Sequence, residues 1–81
     1  MTALKLYSEV RIHQLLRGDD DAYDDWGVNR RRPRLGDVGT LVEILQAPGA
    51  QDRYVVECSM ADGNTEWLSD FVADELSPLD A

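Results

Sequence analysis

The chain has 81 residues with 8 Lys+Arg against 16 Asp+Glu, a formal net charge of −8, and it contains one His, one Cys and three Pro. That length holds one domain, residues 1–81, with a thin core, and the 43% apolar content suits a globular chain rather than a disordered one. No apolar run approaches the roughly 20 residues of a membrane span. Nothing resembling a signal peptide opens the chain, and one Cys makes no internal disulfide, so a cytoplasmic, reducing setting is expected.

The charge is unevenly spread. Residues 1–34 hold six acids and seven bases, whereas residues 35–81 hold ten acids and the single base Arg53. An acidic body repels nucleic-acid phosphates and anionic lipid, and it speeds encounter with a basic protein surface. The same acids serve to keep a small domain soluble.

In chain order, Glu9, Arg11 and His13 alternate with Val10 and Ile12, which predicts a strand within Leu6–Leu16; an amphipathic helix with Leu6, Val10, His13 and Leu16 on one face is the alternative. Residues 17–35 form a long irregular loop: five Asp within seven positions, Trp26-Gly27, then an Arg block closed by Pro33. Leu35–Leu45 predicts a strand with Thr40, Val42 and Ile44 on one face and Leu41, Glu43 and Leu45 on the other. Gly36 and Gly39 at its start mark curvature. Pro48-Gly49 is a turn. Arg53–Met60 predicts a strand with Tyr54, Val56, Cys58 and Met60 on one face. Asp62-Gly63-Asn64 forms a hairpin turn, and Thr65–Val72 a strand with Trp67 and Phe71 inward and Glu66 and Asp70 outward. Residues 73–76 form one helical turn, and Ser77-Pro78-Leu79 a brief last strand. These elements describe an all-β fold, a small SH3-like five-stranded barrel with a long first loop.

The strings Leu35-Gly36-Asp37-Val38-Gly39-Thr40-Leu41-Val42-Glu43-Ile44, Tyr54-Val55-Val56-Glu57-Cys58, Asp62-Gly63-Asn64-Thr65 and Ala73-Asp74-Glu75-Leu76-Ser77-Pro78-Leu79, in this order, resemble the bacterial domain of unknown function 4926 family. That family is similar to the SH3-like barrel of the nitrile hydratase β subunit. The loop at 17–34 is longer than the family's connection, and Cys58 stands where a larger aromatic is typical. The resemblance implies the barrel and carries no catalytic residues. Some members look like companions of toxin-like proteins.

Neither Gly27 nor Gly63 places acids at the positions an EF-hand needs, so Asp19, Asp20, Asp21, Asp24 and Asp25 read as a solvated acidic run. Arg30, Arg31, Arg32 and Arg34 suit phosphate, but the Asp run is their expected partner, giving a self-neutralised loop. Tyr23 and Trp26 are aromatics flanked by charge: they serve as interface anchors, or Trp26 folds back to cap the barrel. His13 and Cys58 alone make no zinc site, and Cys58 reads as a structural thiol. No nucleophile–base set or cofactor motif appears, and no cofactor or metal is expected. The expectation is therefore a non-catalytic protein-binding module, an acidic immunity or accessory protein for a basic bacterial partner. Its candidate contact residues are Tyr23, Asp24, Asp25, Trp26, Arg30, Arg31 and Arg32. An RNA- or ribosome-associated barrel using the arginines is the alternative; nucleic acid is disfavoured by the overall charge.

Overall fold

The alternation of Val10 and Ile12 with charged residues makes β1 (Glu9–Ile12), whose two apolar side chains are almost fully buried. The structure, a computed structural model, describes residues 4–17, 23, 24 and 26–79. Four strands follow β1: β2 (Val38–Leu45), β3 (Arg53–Ser59), β4 (Thr65–Phe71) and β5 (Leu76–Pro78). A 3-10 turn, Ala73–Glu75, stands before β5. The strands form one antiparallel sheet in the order β4-β3-β2-β1-β5, so the last strand returns to pair with the first. This is the expected SH3-like arrangement.

The strand read within Leu6–Leu16 is shorter than expected. Leu6 and Tyr7 lie in a turn in which Lys5 carbonyl accepts both the N–H and the hydroxyl of Ser8, at 3.2 and 2.6 Å. Tyr7 there adopts φ 66°. Beyond Ile12 the chain leaves the ladder because its N–H groups turn to Glu75: His13 N donates to Glu75 O at 3.0 Å and Leu16 N to Glu75 Oε2 at 3.0 Å.

Strict alternation along β2 is also corrected. Leu41 pairs with Val56 but Glu43 pairs with Val55, so Val42 is the extra residue of a β-bulge. A bulge exchanges the two faces of a strand. Leu41 and Ile44, three apart, therefore both pack in or against the core, while Glu43 and Leu45 are exposed. Gly39 is required just upstream. A Cβ there would lie 2.6 Å from Val56 Cγ1 and 2.7 Å from Glu57 O.

The β2–β3 connection turns at Pro48-Gly49, where Gly49 has φ 77° and Ala50 N donates to Ala47 O at 3.2 Å. Across β3 and β4 the reading holds: Val56, Trp67 and Phe71 are fully buried, and Tyr54 and Cys58 pack against the core. Asp70 departs from its outward assignment. It is only 9% exposed, with its carboxylate 2.7 Å from Arg53 Nε.

The core is Val10, Ile12, Tyr23, Leu41, Val56, Trp67, Phe71 and Leu76. Phe71 joins its aromatics, stacked on Tyr23 at 5.5 Å and edge-on to Trp67 at 5.9 Å between ring centroids. The long loop thus supplies a core residue.

Candidate binding site

The loop expected to carry the contacts is tied to the barrel by residues that point inward. Tyr23 is 5% exposed, and its hydroxyl donates to Glu75 Oε2 at 2.6 Å while accepting Arg17 N at 2.8 Å. Burial, then the hydrogen bond to the Glu75 carboxylate, pushes the Tyr23 phenol above its ordinary value. The Arg17 guanidinium lies 4.1 Å from the Tyr23 ring centroid. Tyr23 therefore belongs to the core and not to an outer contact surface.

Asn29 is the second tie. Its Oδ1 accepts Leu68 N at 2.8 Å, and its Nδ2 donates to Tyr23 O at 3.1 Å and to Ser69 Oγ at 3.3 Å. Next to it, Arg30 N donates to Glu66 O at 2.8 Å, and Arg17 Nη2 donates to Asp70 O. Together these contacts satisfy groups of residues 66, 68 and 70 along the outer edge of β4. An unpaired strand edge invites association, and here the long loop covers it. Asn29→Ala removes three of these contacts and leaves a strand N–H in need of water. We expect it to cost about 2 kcal/mol, with faster amide exchange at Leu68 than in the parent protein as the check.

Arg31 is the third tie, and it departs from the expectation that the Asp run is the partner of the arginine block. Its Nη1 lies 2.7 Å from Asp37 Oδ2 and its Nε 2.6 Å from Glu66 Oε2, so it joins the loop to the acidic half of the chain. The same Asp37 oxygen accepts Arg34 N at 2.9 Å and Trp67 Nε1 at 3.1 Å. Burial pushes the Asp37 carboxyl up, but Arg31, the Arg34 N–H and the Trp67 indole together hold it below 3.8. Arg31 is held more firmly charged in turn.

A carboxylate with a depressed folded-state pKa stabilises fully above its unfolded value, and this is lost as pH falls through the folded one. The stability conferred by Asp37 is therefore complete above 3.8 and declines below it. In urea titrations from about pH 6 to about pH 2.5, the parent protein should lose more stability at the acid end than Asp37→Asn does. Parallel curves would show that the carboxylate contributes nothing.

With Asn29, Arg31 and Pro33 turned in, Val28, Arg30, Arg32 and Arg34 are turned out, on a strap that bends at Arg30–Arg31. Trp26 is 45% exposed at one end of this row, and Leu35 is exposed at the other. Asp24 is exposed, its Oδ1 accepting Asn29 N at 3.4 Å. Asp25, like Asp19, Asp20 and Asp21, lies outside the described residues. Of the expected contact set, Asp24, Trp26, Arg30 and Arg32 are thus each exposed, whereas Tyr23 and Arg31 build the base.

Asn29, Asp37 and Glu75 were missed by sequence reasoning. Their partners lie up to about 60 positions away, so no local spacing announces Asn29 or Asp37. Glu75 did leave a trace. It lies three residues after Val72, the reach-back half of a capping box, and its Oε1 accepts Val72 N at 3.0 Å.

Among the described residues, no group of three His, Cys, Asp or Glu side chains is placed to hold a metal ion. No helix among them is long and apolar enough to cross a membrane. Burial, then the negative charge of Glu66 and Asp37, raises the Cys58 thiol, the direction opposite to that of an activated nucleophile. Comparison with protein-family models, with curated proteins and with solved structures finds no match for this chain.

Proposed function

We propose that the protein is a non-catalytic protein-binding module whose contact surface is the outward row of the strap from Trp26 to Arg34. One observation carries this reading. The row combines an exposed tryptophan with outward guanidinium groups on a backbone anchored by Asn29, Arg31 and Tyr23. An anchored row loses little conformational entropy on binding, and Trp and Arg are the side chains that dominate interface energetics. The acids of the body address a basic face on the partner and speed the encounter.

The resemblance to the domain of unknown function 4926 family and the toxin-like neighbours of some members support an immunity or accessory role in a bacterial cytoplasm. The RNA- or ribosome-associated alternative draws on the same arginines. The test is affinity capture of the partner from the native cell, followed by kinetics with the purified pair. The association rate should fall steeply as salt rises, and Trp26→Ala should weaken binding by roughly tenfold or more. A rate indifferent to salt, with Trp26→Ala binding unchanged, overturns the proposal.

A further inference from the structure

We infer that the strap binds an acidic peptide segment of the partner that also carries apolar side chains; this rests on the protein-binding reading above. Charge and exposure along residues 26–35 point to that occupant. Arg31 already holds two carboxylates, at 2.7 and 2.6 Å. Arg30 and Arg34 face solvent, and their side chains make no ion pair with any described residue. Arg32 lies outward between them. A guanidinium presents a planar fork of donors that matches a carboxylate in bidentate fashion.

The flanks decide between a peptide and a nucleic acid. Trp26 and Val28 stand at one end of the row and Leu35 at the other, all exposed. Val28 and Leu35 are aliphatic and offer burial to apolar side chains; Trp26 is the one aromatic of the row, and a single ring gives no run of stacking platforms for successive bases. The chain carries a net charge of −8, which opposes a polymer bearing a phosphate at every step far more than a segment with a few carboxylates. The backbone under the row is held, with Arg30 N donating to Glu66 O at 2.8 Å and Arg34 N to Asp37 Oδ2 at 2.9 Å.

Fluorescence anisotropy on the full chain tests this with three labelled probes: a peptide alternating glutamate with leucine and serine, its lysine counterpart, and a single-stranded oligouridine of equal length. The glutamate peptide should bind more tightly than oligouridine, and Arg30→Glu/Arg34→Glu should weaken it by roughly tenfold or more without weakening the lysine peptide, which the acidic body attracts. Arg11→Glu, on the exposed side of β1, should leave its binding unchanged. If the double reversal fails to fold, Arg30→Gln/Arg34→Gln serves, with a smaller loss expected. Tighter binding of oligouridine overturns the inference, as does equal binding of the glutamate peptide by parent and double variant. A partner lost with Trp26→Ala but indifferent to Arg30 and Arg34 would sink this inference and leave the protein-binding reading standing.

Discussion

Replacing Glu75 with leucine should destabilise the domain by about 3 kcal/mol, because it strands buried donors rather than merely deleting a charge. Glu75 is 1% exposed, and its carboxylate accepts Leu16 N, Tyr23 Oη and Val72 N at 3.0, 2.6 and 3.0 Å. These three bonds join the segment after β1, the long loop and the 3-10 turn. Leucine fills a comparable volume, so the loss reads the hydrogen bonds and not a cavity. A domain of this size has a total stability of about 5–10 kcal/mol, so the variant should be close to half as stable. Equilibrium urea unfolding measures it. A cost below about 1 kcal/mol would show that water replaces the carboxylate at these donors. Proton exchange adds a diagnostic: if the tie breaks, the amide of Leu16 should lose protection, and a merely softened core would not single out that position.

Gly39→Ala is the second large effect, expected at about 2–3 kcal/mol. The added methyl would meet Glu57 O at 2.7 Å and Glu57 C at 3.2 Å, both backbone, besides Val56 Cγ1 at 2.6 Å. A side chain can rotate away, but the β3 backbone cannot move without disturbing its ladder. The pairing of Thr40 with Glu57 lies one residue away, so the damage spreads into the β2–β3 register. Thermal unfolding should show a drop in Tm of roughly 10 °C or more, since about 1 kcal/mol shifts a domain of this size by about 4–8 °C. An unchanged Tm would mean that the two strands separate freely there. Serine at the same position should be at least as damaging, whereas Gly36→Ala, with open space around it, would be limited by its φ of 89° instead.

The two sites show different degrees of legibility in the chain. The Gly-x-x-Gly spacing at 36–39 reads as curvature at the start of β2; what the structure shows is a close approach of β3 at Gly39 and a positive φ at Gly36. The bulge at Val42 was invisible. Nothing in Leu41-Val42-Glu43-Ile44 breaks the alternation locally, and the extra residue is visible only once Val55 and Val56 are laid against it. The aromatic pair Tyr23 and Trp26 was singled out for its charged surroundings, which is a local property. Which of the two turns inward depends on Glu75, 52 positions away from Tyr23. Arg31, likewise, was one of four similar arginines until Asp37 and Glu66 were brought beside it.

Period-two apolar patterning and turn residues were enough to determine the number of strands, their order along the chain and the inward face of Val56, Trp67 and Phe71, but not the burial of Val55 and Asp70 on the opposite face. These follow from backbone geometry and local burial, which act over a few residues. The tertiary structure alone decided which loop residues are ties and which form the outward row. Hydrogen bonds and ion pairs form wherever the folded sheet places complementary groups, and their energy bears no relation to separation in the chain. Residues 17–35 therefore looked like one uniform polar loop until the edge of β4 sorted the described part into an inner and an outer side.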